Sequence, residues 1–286
     1  MNITAVLQHK YGFEELNWNH TNFVIETNVG TKKVTYWRDR NLLEYHLNFR
    51  DRLFSKSGIM CNRMIRTRDG LPCVQIDQSF VTIHDVIDSS SAIDDDPEFK
   101  GFLIASLLEV SKDFPYINQK DRDVFPYKAS IESLTHLKDK NQKYYSLLVR
   151  TIPKVKQRLT PHKKMPPICY DGNELKVVEG QYYYDLSDAP PQPAHQVIRR
   201  ALGFERIEDT QACWGSLLNA ISKELADQVV SALISPWEWQ ECINRMHSCE
   251  DEEEIYYRFE KEWEATMELC DALKLSIPAR RTFSYE

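Results

Sequence analysis

The sequence predicts an α+β fold in which a small β-rich lobe precedes a larger helical lobe. Residues 23–87 alternate short runs of β-forming residues with turns, around one helix. From Asp96 onward, apolar residues recur every three or four positions over most of the chain, as in amphipathic helices. The Ser/Asp-rich stretch 88–96 separates the two patterns, so we expect an N-lobe of residues 1–88 and a C-lobe of residues 89–286.

The composition is that of an acidic globular protein. The chain has 286 residues with 42% hydrophobic and 11% aromatic content, which is enough to bury a sizeable core. The formal net charge of −7 argues against nucleic acid as a partner. No apolar run approaches the roughly 18 residues that a membrane helix needs, and the first residues lack a secretory-signal pattern. We therefore expect a cytoplasmic protein with no membrane span.

The seven cysteines are scattered along the chain and form no Cys-x-x-Cys pair. An odd, irregular set of this kind fits neither a disulfide framework nor a zinc site. It predicts reduced and mostly buried thiols.

Local patterns place the first elements of the N-lobe. Phe23–Thr27 and Lys32–Trp37 are rich in β-forming residues and flank a turn sequence, which predicts two antiparallel strands. Either Asp39 or Asn41 can cap the helix that follows, and Gly58 can end it.

A second hairpin is predicted around Asp69-Gly70, the strongest local turn signal in the chain. β-Forming residues flank this turn from Met64 to Ile76. The run Phe80–Ile87 predicts one further strand.

The C-lobe begins with a helix-start signal. Asp96 followed by Pro97 is typical of a cap and a first-turn proline, and the apolar spacing predicts a helix to about Lys112. Helical spacing returns around residues 131–137 and 144–159, with an interruption or kink at Pro153.

Residues 166–185 change period and predict a loop followed by a short hairpin turning at Glu179-Gly180. Helical spacing then continues to about Lys274. Within it, Ser235-Pro-Trp-Glu238 predicts a capping box with proline at the first helical position.

Several short phrases carry a family resemblance. In chain order they are Glu26-Thr-x-x-Gly30-Thr-Lys, Trp37-Arg38, Arg66-Thr-Arg-Asp-Gly70-x-Pro72, Phe80-Val-Thr-Ile-His-Asp-Val-Ile87 and Leu275-Ser-Ile-Pro278. With the strand-then-helix order, they resemble the aminoglycoside phosphotransferase and choline-kinase branch of the protein-kinase-like superfamily. More narrowly, they are similar to the kinase-like spore-coat proteins of the CotS and YutH type. The resemblance covers residues 22–114 and, more thinly, 166–202. It implies a two-lobed kinase-like fold and a place in the developing spore of a Gram-positive bacterium.

The resemblance also implies a nucleotide-binding lysine. Phosphoryl transfer by this fold needs a lysine on the third strand, a general-base aspartate, and an asparagine and a second aspartate on magnesium. The position of the lysine falls near Thr35. Lys33 shares a strand face with Thr35 and Lys32 does not, because side chains alternate along a strand. Lys33 is therefore the candidate cofactor-binding residue, although a solvated strand lysine is the simpler interpretation.

Two segments are similar to the catalytic and metal-binding loops of the family. They are Ile168-Cys-Tyr-Asp171-Gly-Asn173 and Tyr184-Asp185-Leu-Ser-Asp188. The resemblance implies that Asp171 is the catalytic base, Asn173 a metal ligand and Asp185 the principal metal ligand. The separation of the two segments is shorter than in the family, and the alternative is that Asp171-Gly172 is simply a turn.

Other parts of a kinase site are missing from the sequence. None of the eight histidines has an aspartate two positions later, and the first hairpin offers a single glycine, Gly30. Losing even one charge-neutralising group costs orders of magnitude in rate. We therefore expect a catalytically degenerate kinase-like protein, a pseudokinase, with a binding or structural role and no cofactor. The alternative is an active small-molecule phosphotransferase that uses ATP and magnesium in a rearranged site.

Two segments carry opposite charge. Residues 138–164 hold nine Lys/Arg against one Asp, and residues 250–264 hold eight acids against two bases. Solvated helix faces are one interpretation; pairing within one molecule or between copies is the other. The expected partners are thus a protein or a second copy of the chain, with a small-molecule substrate only if the enzyme is active.

Overall fold

The computed structural model describes most of the chain, namely residues 3–14, 16–19, 23–86, 96–113, 125–159, 165–170, 175–178, 180–186, 188–202, 206–248 and 251–275. The chain divides into two compact units. Unit 1 comprises Met1–Asp96, Leu103–Gln119 and Pro166–Gln192; unit 2 comprises Pro97–Phe102, Lys120–Met165 and Pro193–Glu286. Nearly all of the predicted connector 88–96 lies outside the described residues, so the lobe boundary at residue 88 stays a prediction.

Unit 1 holds the described strands. Its elements are α1 (Ile3–Tyr11), β1 (Leu16–Asn19), β2 (Val24–Thr27), β3 (Gly30–Trp37), α2 (Arg40–Ser57), β4 (Met60–Cys61), β5 (Val74–Ile76), β6 (Ser79–Asp85), most of α3 (Pro97–Asp113), β7 (Leu175–Val178) and β8 (Gln181–Tyr184). The strands predicted at 23–27 and 32–37 are confirmed, as are the strand predicted at 80–87 as far as Asp85, the helix to about Lys112 and the hairpin through Gly180. β1 was not predicted.

Two sheets organise unit 1. The first is antiparallel with strand order β1-β2-β3-β6-β5, and the second has the order β4-β8-β7 with β4 and β8 parallel. One face of the first sheet is apolar because Ile25, Val34, Val81 and Ile83 pack with Leu7 of α1 in one buried cluster. The other face carries the polar side chains described below.

The hairpin predicted between Met64 and Ile76 is wrong. The Thr67 amide does donate to the Leu71 carbonyl at 2.8 Å, so the tight turn at Asp69-Gly70 exists. However, β5 pairs with β6 instead, and Met64 bridges to His84 of β6. Val74 and Ile76 are buried in that pairing, so burial of apolar side chains outweighs the stronger local turn signal.

The hairpin between β5 and β6 turns at Asp77-Gln78, with Ile76 opposite Ser79. Asp77 has φ 53°, in the left-handed region that Asp tolerates better than most residues. This turn has no glycine, so the sequence analysis missed it.

Helix α2 begins and ends as predicted. The Asp39 carboxylate accepts hydrogen bonds from the amides of Asn41 at 2.8 Å and Leu42 at 3.3 Å. Gly58 follows the last turn with φ 71°, a left-handed conformation that glycine adopts without the steric strain that a side chain would cause. Between these caps the buried face of α2 includes His46 and Arg50 beside its apolar residues.

Unit 2 is helical in its described parts. Besides the first turn of α3 it contains α4 (Tyr127–Lys140), α5 (Gln142–Arg158), α6 (Ala194–Leu202), α7 (Ile207–Ala220), α8 (Lys223–Ile234), α9 (Trp237–Met246) and α10 (Glu252–Ala272). Helix α5 continues through Pro153. Leu148, Trp239, Ile243 and Phe259 lie in the core between α5, α9 and α10. No helix among the described residues is long and apolar enough to span a bilayer.

The predicted capping box at Ser235 is wrong. The Ser235 hydroxyl donates to the Ser231 carbonyl at 2.9 Å, and α9 has no side-chain cap. Glu238 is buried and forms ion pairs with Arg158 and Arg199. Its carboxylate is therefore occupied by two guanidinium groups, an interaction stronger than the local bond to a backbone amide.

Candidate functional site

A polar cluster lies in unit 1 on the face of the first sheet opposite α1. Strand β3 pairs with β6 so that Lys33 is opposite His84 and Thr35 is opposite Thr82. Because successive strand residues point to opposite faces, these four side chains share one face. The expectation that Lys33 and Thr35 share a face is confirmed, since both reach Asp188.

Asp188 is the centre of the cluster. Its Oδ2 accepts a hydrogen bond from Thr35 Oγ1 at 3.1 Å and lies 3.4 Å from Lys33 Nζ. Its Oδ1 accepts from Arg50 Nη2 at 3.3 Å. Burial by itself raises the pKa of Asp188, but the charges of Lys33 and Arg50 outweigh it and the pKa is lowered. Asp188 is therefore an ionised carboxylate held by two cations and a hydroxyl.

Arg50 is a buried cation on α2, with 1% of its surface exposed. Besides Asp188 it donates from Nε to the Asn62 carbonyl at 3.2 Å and from Nη2 to the Leu186 carbonyl at 3.0 Å. Its Nη1 has no hydrogen-bond partner among the described residues. A buried guanidinium needs a counterion to offset the loss of water, and Asp188 supplies it.

Asn62 links β4 to the segment that follows β8. Its Nδ2 donates to Asp185 Oδ1 at 2.7 Å and to the Leu186 carbonyl at 3.0 Å, and its Oδ1 accepts from the Leu186 amide at 3.0 Å. The parallel pairing of Cys61 with Tyr184 brings these residues together. Asp185 also lies 3.6 Å from Lys176 Nζ. The side chain of Asn62 thus holds the start of the segment that carries Asp185 and Asp188.

His84 is held as a neutral imidazole by a directed chain of hydrogen bonds. Trp37 Nε1 donates to Thr82 Oγ1 at 2.8 Å, and Thr82 Oγ1 lies 2.9 Å from His84 Nε2. His84 Nδ1 lies 3.1 Å from the Asn62 carbonyl, which can only accept. The proton is therefore on Nδ1, and Nε2 accepts from the Thr82 hydroxyl. Burial, together with the charge of Arg50, lowers the pKa of His84 to about 4.

His46 is a second buried neutral histidine beside Arg50. Its Nε2 donates to the Ala189 carbonyl at 3.0 Å, one residue after Asp188. Its ring lies 5.0 Å from that of Trp37. Burial and the charge of Arg50 lower the pKa of His46 to about 3.

The structure brings only some of the predicted site residues together. Lys33 lies on β3 and reaches Asp188, while Asp185 follows β8 directly and contacts Asn62. Asp171 and Asn173 lie outside the described residues, so their roles remain predictions, as do those of Lys33 and Asp185.

Sequence reasoning missed Arg50, Asn62 and both histidines of the cluster. Arg50 had a usable signal. It lies four residues after His46 and three before Leu53, which places a charged residue on the buried face of α2. A charge on an apolar helix face requires a partner elsewhere in the chain.

The described carboxylates of this cluster do not by themselves fit a magnesium site. Asp185 and Asp188 are neighboured by three cations, Lys33, Arg50 and Lys176, so the local charge is positive before any metal is added. Magnesium sites instead gather negative oxygen ligands. Within the described ranges, no group of three or more His, Cys, Asp or Glu side chains could hold a metal ion.

Comparisons with known proteins identify the fold. No protein-family model matches the chain, and no curated protein matches it in sequence. Among solved structures, an aminoglycoside phosphotransferase from Alicyclobacillus acidocaldarius has a TM-score of 0.59 at 12% identity, with 94% of each chain covered. The spectinomycin phosphotransferase APH(9)-Ia has a TM-score of 0.48 at 11% identity, with 95% of this chain and 97% of that chain covered. A microcompartment-associated aminopropanol kinase has a TM-score of 0.46 at 13% identity, with the same coverage.

The similarity to the first of these structures spans nearly the whole chain and shows the fold, since the identity is too low to carry more. The sequence prediction of the fold class is confirmed. The chain has the α+β, aminoglycoside-phosphotransferase-like form of the protein-kinase-like fold.

Proposed function

We propose that this chain is a catalytically degenerate kinase-fold protein whose role is binding or structural. The observation that carries the proposal is the ion pair between Arg50 and Asp188. In protein kinases the lysine of the third strand pairs with a glutamate of the following helix, which sets it to hold phosphates. Here the helix after that strand presents a buried arginine, and Lys33 pairs with Asp188 instead.

The charge of Arg50 supports the proposal on electrostatic grounds. Two unit charges about 4 Å apart interact by about 4 kcal/mol at an effective dielectric constant near 20. A divalent cation at that distance would meet about twice this repulsion from Arg50, and Lys33 would repel it as well. Both carboxylate oxygens of Asp188 already lie in ion pairs with these cations, so metal binding would also have to break existing contacts.

The alternative function is an ATP- and magnesium-dependent small-molecule kinase with a rearranged site. It is favoured by the location of Lys33, which reaches the segment that also carries Asp185. The structural neighbour with the TM-score of 0.59 is itself described as an aminoglycoside phosphotransferase. In this alternative Lys33 would contact phosphates, Asp185 and Asn173 would bind magnesium, and Asp171 would be the base.

A thermal-shift titration with ATP and magnesium, together and separately, tests the two functions. A ligand that binds only the folded protein raises its melting temperature, by the equivalent of about 2.7 kcal/mol at 100 times Kd. We expect magnesium to leave the response to ATP unchanged, and no ADP to form in the presence of aminoglycosides or small amino alcohols.

Asp185→Asn separates the outcomes, with the exposed Asp139→Asn as the matched control. A magnesium-dependent rise that Asp185→Asn removes and Asp139→Asn retains, with release of ADP, would replace the pseudokinase proposal by the kinase alternative.

We also propose, from the sequence resemblance to the CotS and YutH type, that the protein is made in the cytoplasm and assembles into the spore coat of a Gram-positive bacterium. In that case its partners are proteins or copies of itself. Immunodetection in coat extracts of purified spores would support this location, and confinement to the mother-cell cytoplasm would contradict it.

A further inference from the structure

Helix α5 carries an exposed basic stripe. Lys143, Arg150 and Lys154 are spaced by seven and then four residues, which places them within about 20° of one line along an α-helix. All three side chains are exposed. Lys143 Nζ lies over its neighbour Tyr144, 4.9 Å from the ring centroid. We call these three residues the basic stripe.

Helix α10 carries an exposed acidic stripe with the same spacing. Glu253, Glu260 and Glu264 are also separated by seven and then four residues. All three are exposed, and Glu260 is hydrogen-bonded to the Tyr256 hydroxyl of its own helix. We call these residues the acidic stripe. Tyr257, 56% exposed, lies on the same side of α10, with Lys261 Nζ 4.6 Å from its ring centroid.

The two stripes match in only one direction. Each runs over twelve residues, or eleven steps, which is about 16 Å of helix at a rise of about 1.5 Å per residue. From N- to C-terminus, the charged residues of both stripes are separated by seven and then four positions. Two parallel helices therefore place each residue of the basic stripe beside the corresponding residue of the acidic stripe. An antiparallel arrangement would misplace the central pair by three residues.

The stripes do not neutralise each other within the molecule. Among the described residues, an ion pair of α10 joins Arg258 to Glu262 of the same helix, and no ion pair joins the basic stripe to the acidic one. α5 and α10 instead contact each other through core side chains, with Tyr144 against Tyr256 and Arg158 over the ring of Trp263. Both charged lines therefore face outward from unit 2.

We propose that the basic stripe of one copy binds the acidic stripe of a second copy, so that the chain associates with itself through α5 and α10. The proposal names the partner within the proposed binding role. Its charge complementarity sets both the orientation and the register of the two helices. The two surfaces differ, so the contact either closes reciprocally into a dimer or continues as a chain of copies.

Sedimentation of the whole protein at varied salt tests the proposal without nucleotide, so its outcome is independent of whether the chain transfers phosphate. Between about 0.01 M and about 1 M salt the Debye length falls from about 30 Å to about 3 Å. We expect association at low salt and monomers at high salt. A protein that stays monomeric at low salt across the accessible concentrations would overturn the proposal.

Charge exchange identifies the surfaces. We expect Lys143→Glu/Arg150→Glu/Lys154→Glu and Glu253→Lys/Glu260→Lys/Glu264→Lys each to be monomeric, because each then faces its partner with like charge. Mixing the two variants restores complementary stripes at both contacts, and we expect a mixed complex with at least a tenfold lower dissociation constant than either variant alone.

Lys138→Glu/Lys156→Glu/Lys223→Glu is the matched control, since it changes the net charge equally at exposed positions outside the basic stripe. This control should retain association at low salt. Loss of association in the control as large as in the stripe variant, or no complex on mixing, would show that net charge and not these stripes governs self-association.

Discussion

The guanidinium of Arg50 and the carboxylate of Asp188 lie 3.3 Å apart although 138 residues separate them in the chain. Their ion pair connects helix α2 to the segment that follows β8, within unit 1. Arg50 is 1% exposed, whereas 24% of the Asp188 side chain is exposed. The pair therefore has one fully buried cation whose charge depends on a partly accessible counterion.

Asp188→Asn should destabilise the protein strongly. The substitution keeps the shape of the side chain but removes the charge that offsets buried Arg50. Breaking a buried pair by removing one partner costs about 3 kcal/mol or more. Urea denaturation followed by circular dichroism measures this loss, which should exceed that of a surface substitution severalfold.

Lys33→Met is the comparison for that experiment. The Lys33 side chain is 41% exposed, so its ion pair with Asp188 is screened by water. We expect a change within about 1 kcal/mol. Equal losses in the two variants would contradict the expectation that leaving buried Arg50 without its counterion costs more than removing half-exposed Lys33.

Stability should fall as the pH decreases below 6.5. Burial lowers the pKa of His46 to about 3 and that of His84 to about 4, from 6.5 in each case. Arg50 and Lys33 further disfavour the charged imidazole of His84, and Asp188 favours it. Below pH 6.5 these histidines bind protons in the unfolded chain but stay neutral in the folded chain. Each therefore lowers the free energy of unfolding by up to about 1.4 kcal/mol per pH unit.

This loss of stability is absent above pH 6.5, where the histidines are neutral in both states, and stops growing below each folded pKa, where they are charged in both states. Between pH 6.5 and about 4, His84→Gln should reduce the slope of unfolding free energy against pH by up to about 1.4 kcal/mol per pH unit, which corresponds to one proton. The exposed His136→Gln serves as the control. An unchanged slope in His84→Gln would show that His84 is charged in the folded protein.

In unit 2, Arg158→Met should destabilise the helical core. Arg158 is 2% exposed, forms an ion pair with Glu238 and donates from Nε to the Ile234 carbonyl at 2.8 Å. Its loss leaves buried Glu238 with Arg199 alone, at a cost of about 3–5 kcal/mol. Arg258→Met removes an exposed ion pair on α10 and should change stability by about 0.5 kcal/mol or less. Hydrogen exchange of the α9 and α10 amides measures both effects, and we expect Arg158→Met to accelerate it much more than Arg258→Met does.

Gly101→Ala should prevent α3 from packing closely against α7. A Cβ at Gly101 would lie 2.1 Å from the Cys213 carbonyl oxygen, a clash with backbone that cannot move cheaply. Overpacking of this kind costs about 1–3 kcal/mol.

Gly215→Ala on α7 is the opposite case, because no described atom beyond its own stretch of helix lies within 4 Å of its added Cβ. In a helix it should be neutral or stabilising by about 0.5–1 kcal/mol. Melting temperatures measured side by side test both expectations: a rise in Gly101→Ala would contradict the first, and a clear fall in Gly215→Ala would contradict the second.

The sequence by itself determined the elements that depend on near neighbours. Alternating β-forming residues gave β2, β3 and β6, and Asp39 and Gly58 bound α2 at both ends, because capping involves atoms within a few residues. The family resemblance, carried by these same elements, led to the fold class and to Lys33 and Asp185 as candidates.

Only the tertiary structure decided the partners of charged and apolar side chains. Asp69-Gly70 turns as predicted, yet β5 pairs with β6 because Val74 and Ile76 are buried there. Glu238 does not cap α9, because Arg158 reaches its buried carboxylate from 80 residues away.

The same reason explains the centre of the polar cluster. Asp188 lies in the segment that resembles the family's metal-binding loop, but no residue near it in the sequence indicates that Arg50 and Thr35 are its partners. A buried charge must find its counterion wherever the fold brings one, because water is no longer available to stabilise it. Local patterns therefore determine where the chain forms strands and helices, and burial determines which of its charges meet.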